Sequence, residues 1–364
     1  YDLCRILLPD CGHLLEEEAD YNNRHGTSKH HPALPLYTRA DAENCLRLFK
    51  PIKYGVEFEA VPGLQAKFWN SGHMPGSAFV RLADGHRSIL FSGDLGRPND
   101  LVLKPPVTPD AADYLVVEST YGDRAHLPSD PLQTLADVIN RTAARAGVVV
   151  IPAFAVGRAQ SLMYAIHLLK SRGLIHHLPV YLNSPMAASA SEVFYKHHEL
   201  LRLSESEYRA MTAHVELVQS VEESQVLNAR KGPMVIIAAS GMATGGRVVH
   251  HLKAFAPDKR NTILLAGHQA AGTRGAAIAG GARSIRIFGQ DVPVRAEVVQ
   301  LENLSAHADA DEVLGWLGSL ARAPRKTFIT HGEPAGADAL RSGIEGSLHW
   351  DCHLPSYTET VSLD

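Results

Sequence analysis

Five short apolar runs in this chain each end in a turn of small residues that carries one His, Asp or Glu. A strand followed by Gly or Ser holds the next side chain just beyond the edge of a sheet, which is where ligands bind in layered α/β folds. One such turn is more often an ordinary polar strand end. Five turns that all present an imidazole or a carboxylate indicate a metal or acid–base site. The residues concerned are His73, Asp94, Glu118, His307 and His331.

The pattern of apolar residues changes twice along the 364 residues. Residues 2–24 have a helical pattern interrupted near Pro9, and β-type segments follow from Gly55 to Ser119. The middle of the chain alternates apolar strands with amphipathic helices, which is the pattern of a parallel, doubly wound sheet. Strand–helix units with further β segments return towards the C-terminus. These segments predict an α/β protein.

The candidate site residues lie on both sides of the middle segment, three before it and two after it. If they converge, the middle segment is a domain inserted into the first domain. The site then faces the cleft between the two domains, a common place for ligands. We expect the first domain to comprise residues 1–123 and 299–364, and the inserted domain to comprise residues 124–298.

The net charge and the cysteine content limit the classes of binding partner and the cellular compartment that we expect. The net charge is −4, so nucleic acid would have to be bound by local sites rather than by overall charge. The four cysteines form no CxxC pair, which favours reduced thiols in a cytoplasmic protein. The longest apolar run, Val148–Val156, is broken by Pro152 and is too short to cross a membrane, so we expect no membrane partner.

Three of the five turn residues are candidate metal ligands: His73, Asp94 and His331. Imidazole combined with carboxylate suits zinc, with manganese or iron as alternatives. Asp94 could bridge two ions, but three ligands cannot fill two sites, so further donors are required. The alternative, that the two histidines are merely buried and hydrogen-bonded, is disfavoured by the strand–turn context that all three share.

Glu118 and His307 suggest proton transfer instead. A carboxylate that hydrogen-bonds one imidazole nitrogen orients the ring and favours its protonated form. Such a histidine can donate a proton to a leaving group. The alternative is a structural Glu–His pair.

Three loops rich in small residues each join a strand to a helix in the middle segment: 154–160, 239–247 and 266–275. Glycines let the backbone approach an anion, and helix N-termini offer free N–H groups to phosphate. None matches the P-loop or dinucleotide spacing, and each loop alone is more often a tight turn. Three loops that each carry an Arg favour a track for a polyanion. The candidate phosphate-binding residues are Arg158, Gln160, Ser240, Gly241, Thr244, Gly245, Gly246, Arg247, Thr273 and Arg274.

Two other features of the sequence argue against base recognition and against a further metal site. Aromatic residues of the kind that stack on bases do not interleave these loops, so we expect weak base recognition. Adjacent histidine pairs such as His250–His251 make poor chelates, because neighbouring side chains point in different directions. We expect these pairs to lie on the surface.

Several blocks of the sequence resemble a known family: GHMPGSA, FSGDLGRP, VESTYGDR, IPAFAVGRAQ, SPMA, ASGMATGGR, LSAHAD and HGEP. Together they resemble the β-CASP proteins of the metallo-β-lactamase superfamily. The similar branch is the RNA-acting one that contains the endonuclease subunit of the cleavage and polyadenylation specificity factor and its prokaryotic relatives. The resemblance covers essentially the whole chain. It implies a metallo-β-lactamase αββα sandwich with an inserted β-CASP α/β domain that has a parallel sheet.

The resemblance also implies a role for each site residue. His73, Asp94 and His331 match metal-ligand motifs, with Asp94 in the bridging position, and Glu118 and His307 match the pair that cooperates in proton donation. The HxHxDH motif of the family, which supplies four further ligands, is absent. We expect it to lie upstream of Tyr1, although a degenerate, non-catalytic relative is the other explanation. The intact protein would hold two zinc ions, and this chain would hold them partly or not at all and be inactive.

The function implied is that of a zinc-dependent phosphodiesterase that cuts single-stranded RNA internally and leaves 5′-phosphate and 3′-hydroxyl ends. One alternative is a 5′-to-3′ exoribonuclease like ribonuclease J. The other is a non-catalytic RNA-binding or scaffold protein. A homodimer is a further expectation.

Overall fold

Two separate β-sheets organise the chain in a computed structural model that describes residues 1–126, 130–301 and 304–364. The helices are α1 (Asp2–His25), α2 (Arg39–Leu46), α3 (Pro131–Ala144), α4 (Arg158–Ser171), α5 (Pro185–Lys196), α6 (Glu205–Ala213), α7 (Val221–Ala229), α8 (Arg247–Phe255), α9 (Arg274–Ala279), α10 (Ala310–Gly318) and α11 (Pro334–Ser347). The strands are β1 (Glu57–Val61), β2 (Leu64–Asn70), β3 (Ala78–Ala83), β4 (Ser88–Phe91), β5 (Tyr114–Glu118), β6 (Val148–Pro152), β7 (Val180–Asn183), β8 (Glu216–Leu217), β9 (Met234–Ala238), β10 (Thr262–Leu265), β11 (Ser284–Ile287), β12 (Gln290–Pro293), β13 (Glu297–Gln300), β14 (Lys326–Thr330) and β15 (Cys352–His353).

The first sheet has seven strands in the order β1-β2-β3-β4-β5-β14-β15. Strands β1 to β4 form an antiparallel meander, whereas β4, β5, β14 and β15 run parallel. Because β3 is antiparallel to both β2 and β4, the latter two strands run in the same direction. The carboxyl ends of β2, β4, β5 and β14 therefore lie at one edge of the sheet.

The core of the first domain forms where this sheet packs against α10 and α11. Phe79 of β3 is fully buried, and its ring centroid lies 4.7 Å from that of Trp316 in α10. Leu115 and Val117 of β5 pack in the same cluster with Leu340 of α11. Alternating strand residues thus bury one face of the sheet under two helices. The described residues contain this one mixed sheet and a small hairpin besides the inserted sheet.

The second sheet has six parallel strands in the order β13-β10-β6-β9-β7-β8, which confirms the predicted parallel sheet. Its central strands, such as β9 (MVIIA), are continuously apolar because helices cover both faces. Helices α3 to α6 contribute to the core on one face, and α7 to α9 contribute to the core on the other. The predicted boundary at residue 298 falls inside β13, which pairs with β10.

One prediction about the first helix is wrong, because α1 continues past Pro9 from Asp2 to His25. A proline inside a helix removes one backbone hydrogen bond and crowds the preceding turn. Here α1 packs against both α2 and α5, and Asp2 forms ion pairs with Lys196 and His197, at 2.8 Å each. These tertiary contacts hold the helix. In the part of the chain that the structure describes, we find no helix that combines the length and apolar character needed to span a membrane.

Candidate metal and catalytic centre

The five turn residues meet at the carboxyl edge of the first sheet. Glu118 is the last residue of β5 and is in register with Thr330 of β14, so His331 follows directly beside it. Asp94 follows β4 and His73 follows β2, both at the same edge. His307 joins them through an isolated antiparallel bridge to Gly96.

Close packing of the turns explains two of their glycines. A Cβ atom on Gly96 would lie 2.1 Å from the carbonyl carbon of Gly72 and 2.6 Å from the backbone nitrogen of His73. A Cβ atom on Gly332 would lie 2.3 Å from Oγ of Ser119. No side chain fits at these distances. Glycine therefore allows the turns that carry the histidines to contact their neighbours.

Asp94 lies between two histidines, with one carboxylate oxygen towards each. Its Oδ2 lies 3.6 Å from Nε2 of His73, and its Oδ1 lies 3.4 Å from Nδ1 of His331. Two donor atoms on one tetrahedral zinc ion lie about 3.3 Å apart, from bond lengths of about 2.0–2.1 Å. The spacing and the imidazole–carboxylate chemistry of this set fit zinc.

The protonation state of His73 suits metal binding. Burial, and then the charge of His307 nearby, lower the pKa of His73 below its usual range. The ring is therefore neutral at neutral pH, which is the form that binds a metal. Its Nδ1 is buried and has no hydrogen-bond partner among the described residues, while Nε2 faces Asp94.

Proximity to Asp94 does not by itself separate ligands from proton donors. His307 joins His73 and Asp94 in one possible ligand group, and Glu118 joins Asp94 and His331 in another. Glu118 differs from the other members of these groups in its hydrogen bonds, which come from three other residues.

The Glu118 carboxylate is buried, and both of its oxygens accept hydrogen bonds. Oε1 accepts from the backbone nitrogen of Leu95 at 2.5 Å, and Oε2 accepts from the hydroxyl of Thr120. Nδ1 of His307 lies 3.2 Å from Oε1 and 3.1 Å from Oε2. These hydrogen bonds hold the carboxylate in place and orient the ring of His307.

The pair shifts the pKa of each partner in opposite directions. Burial alone would lower the pKa of His307, but the hydrogen bond and the negative charge of Glu118 outweigh it and raise the pKa. Burial alone would raise the pKa of Glu118, and the hydrogen bond and charge of His307 outweigh it and lower that pKa. His307 is thereby stabilised as an imidazolium. Since Nδ1 is bonded to Glu118, Nε2 is the nitrogen that can donate a proton to a substrate.

Sequence reasoning missed two residues that support this pair. Thr120 donates to Glu118, and its hydroxyl lies 3.3 Å from Nδ1 of His331, so it connects Glu118 with His331. Nε2 of His126 lies 3.1 Å from the carbonyl oxygen of His307. The position of Thr120 two residues after Glu118 was an available signal, whereas nothing in the sequence places His126 beside a residue 181 positions away.

A cleft of about 940 Å³ joins this centre to the inserted domain. His73 and His307 line it from the first domain. Strands β6, β7, β9 and β10 of the parallel sheet end at the cleft, and helices α4, α5 and α8 begin there. The carboxyl end of a parallel sheet is where open α/β folds bind ligands, and the N-termini of helices favour anions.

The structure divides the ten candidate phosphate-binding residues into two groups. Six line the cleft: Arg158, Ser240, Thr244, Gly245, Gly246 and Arg247. Four are outside its lining: Gln160, Gly241, Thr273 and Arg274. The amide of Gln160 donates to Ser191 at 3.0 Å inside the domain, Thr273 caps α9, and Nε of Arg274 donates to the carbonyl oxygen of Arg286.

The two arginines of the cleft are held differently. Arg158 is 9% exposed, and its Nε and Nη1 have no hydrogen-bond partner among the described residues. Burial lowers the pKa of Arg158 to about 10, so the guanidinium still carries its charge at neutral pH. Arg247 is fixed by Nη1, which donates to Oδ1 of Asn183 at 2.8 Å and to the carbonyl oxygen of Val218 at 2.9 Å.

The prediction that the His250–His251 pair lies on the surface is wrong for His251. Adjacent residues of a helix point in different directions, and on α8 His250 is exposed while His251 is fully buried. Nε2 of His251 lies 2.6 Å from Nδ2 of Asn183, and Nδ1 lies 2.6 Å from Oδ1 of Asn228. Burial lowers the pKa of His251 to about 4, so the ring is neutral and supports the Asn183 that holds Arg247.

Comparisons with known proteins agree with this architecture. Residues 159–278 match the Beta-Casp domain family, and residues 291–355 match the Zn-dependent metallo-hydrolase RNA specificity domain. Ribonuclease TTHA0252 of Thermus thermophilus is 37% identical over 309 residues, which are 82% of this chain and 69% of the relative. An RNase J-like protein of Methanocaldococcus jannaschii is 30% identical over 305 residues, or 82% of this chain and 70% of the relative.

A third relative is longer. Transcription termination factor FttA of Methanocaldococcus jannaschii is 31% identical over 315 residues, and the chain spans about half of its length, 49%. Domain matches, sequence identity and the arrangement of the two sheets lead to the same family. The chain belongs to the RNA-acting β-CASP family of the metallo-β-lactamase superfamily.

Proposed function

We propose that this protein is a metal-dependent ribonuclease that hydrolyses phosphodiester bonds inside single-stranded RNA. The observation that carries the proposal is the Glu118–His307 pair beside the group formed by Asp94 with His73 and His331, at one end of a cleft lined by glycine-containing turns and by Arg158 and Arg247. The relatives named as ribonucleases support the substrate class. Zinc as the metal, a homodimer and a cytoplasmic location stay predictions.

Each residue has a part in the reaction. His73, Asp94 and His331 would hold zinc, which when bound activates water for attack on a phosphodiester at neutral pH. His307 donates a proton from Nε2 to the departing 3′-oxygen, while Glu118 keeps the ring oriented and charged. The leaving RNA strand then ends in a 3′-hydroxyl, and the other strand begins with a 5′-phosphate.

Zinc content tests the ligand assignment. Three ligands cannot fill two tetrahedral sites, so we expect the dialysed chain to retain fewer than two zinc ions and to hydrolyse RNA poorly. Asp94→Asn should lower the zinc content further, because Asp94 lies against both histidines. Asp291→Asn, in an exposed hairpin, is the control and should leave the content unchanged. Two tightly held zinc ions per chain, measured by elemental analysis, would contradict the ligand set.

The products test the reaction. In a form of the protein that holds its full complement of zinc, end-labelled RNA should be cut internally to give 5′-phosphate and 3′-hydroxyl ends. Cleavage should persist where the 2′-hydroxyl at the cut is methylated and the methyl fits, because this hydroxyl is not the nucleophile. A 2′,3′-cyclic phosphate would refute the mechanism. Release of mononucleotides from the 5′ end alone would identify an exonuclease, and binding without cleavage would favour the scaffold alternative.

A further inference from the structure

Phe154 is a large aromatic residue exposed inside the cleft. It follows β6, lines the cleft, and is 47% exposed, whereas Tyr121 on the same lining is 8% exposed. An apolar ring in contact with water in a concave site is a common mark of a ligand surface, because covering it is favourable. The proposed proton transfer does not use this ring.

The ring is held in place by its surroundings. A Cβ atom on Gly241 would lie 2.8 Å from Cδ2 of Phe154 and 3.0 Å from Cε2, so the ring rests against a backbone that only glycine provides. The carbonyl oxygen of Phe154 accepts a hydrogen bond from the backbone nitrogen of Ala159 at 3.1 Å. The preceding Ala153 donates to the carbonyl oxygen of Ala238 at 3.0 Å. The backbone at Phe154 is thus held by hydrogen bonds, and its ring lies against Gly241.

A cationic residue follows Phe154 closely in the sequence. Arg158, four residues later at the start of α4, lines the same cleft and has guanidinium nitrogens without a partner among the described residues. A buried cation of this kind calls for an anion. An exposed aromatic ring and a buried guanidinium charge in the lining of one cleft match the two parts of a nucleotide, a planar base and a phosphate.

We propose that Phe154 is a platform on which one nucleobase of the RNA stacks while the positive charge of Arg158 attracts an adjoining phosphate. This inference rests on the proposed function, since it assigns the recognition of RNA within the same cleft. Apolar residues such as Met74, Met186 and Met242 line the rest of this surface, so the contact tolerates any base. Every base has a π-face, and stacking does not read hydrogen-bonding groups.

The test measures binding of single-stranded RNA oligonucleotides to the chain by fluorescence anisotropy. Phe154→Ala should weaken binding roughly 5- to 150-fold, the range for loss of one base–aromatic stack, and Phe154→Trp should retain it. The slope of log affinity against log salt should not change, because Phe carries no charge. Arg247→Ala, which removes a cleft cation, should instead reduce that slope by about one unit. Phe288→Ala, on a ring that is 60% exposed and lies outside the cleft lining, is the control.

A second measurement identifies the base and does not depend on a folded alanine variant. Abasic sites placed along the oligonucleotide in turn should weaken binding at one position, and that loss should disappear in Phe154→Leu, which keeps an apolar side chain without a π-face. An abasic effect of the same size in Phe154→Leu, or full affinity in both Phe154→Ala and Phe154→Leu, would overturn the stacking inference alone. Failure of the unmodified chain to bind RNA at any salt concentration would overturn the proposed function as well.

Discussion

Replacing His307 by alanine, in a form of the protein that holds its full complement of zinc, is expected to lower the turnover of RNA by roughly 10²–10⁴-fold, the range for loss of a general acid. The residue is hydrogen-bonded to a buried carboxylate that raises its pKa, and its second nitrogen is available to a substrate. It lies beside the ligand group, with a ring centroid 4.4 Å from that of His73. A proton donor and a ligand at this position therefore predict different outcomes for the metal.

Zinc content measured on the same sample separates the two roles. If His307 donates a proton, His307→Ala keeps the zinc content of the unmodified enzyme and loses only turnover. His86→Ala, which changes an exposed histidine in the turn between β3 and β4, is the control and should lose neither. A parallel loss of zinc and turnover in His307→Ala would make this residue a ligand and refute its assignment as the acid.

The second large effect concerns stability. Phe79→Ala is expected to lower the free energy of unfolding of the first domain by about 3–5 kcal/mol, because it removes a fully buried ring and leaves a cavity against Trp316. The three tryptophans, Trp69, Trp316 and Trp350, all lie in that domain, so their fluorescence in urea follows its unfolding separately from the inserted domain.

An exposed aromatic residue supplies the matched control for this measurement. Tyr357 is 97% exposed, and Tyr357→Ala should change the free energy of unfolding by less than about 0.5 kcal/mol. A comparably small change in Phe79→Ala would mean that the sheet and α10 are not packed as described.

The candidate site was largely predictable because strand direction and turn chemistry are local. Four of the five residues lie at or just after the carboxyl ends of β2, β4, β5 and β14, which share one edge, so their convergence follows from the order of strands. His307 comes after β13 of the other sheet in the chain and reaches this edge through its bridge to Gly96, which strand order does not predict. The parallel sheet of the inserted domain was predictable for a similar reason, since strands covered on both faces are continuously apolar.

Features that depend on distant packing were not predictable. Phe154 ends the run VVVIPAF and has the pattern of a buried strand residue, although it is exposed in the cleft. His251 is next to an exposed histidine, and its burial depends on Asn183 and Asn228, which come from other elements. The helix α1 continues through Pro9 because it packs against α2 and α5. The helix propensities of its residues do not predict these contacts.

The position of β14 between β5 and β15 has a consequence for synthesis on the ribosome. β5 pairs with β14 along its whole length, yet roughly 200 residues separate the two strands in the chain. At translation rates of about 5–20 residues per second, β14 is synthesised on the order of 10–40 s after β5. During this interval one row of β5 backbone groups has no strand to pair with. An open strand edge of this kind invites pairing with other chains. The nascent protein is therefore most exposed to aggregation during translation of its inserted domain, and the candidate centre gains His331 only after that interval.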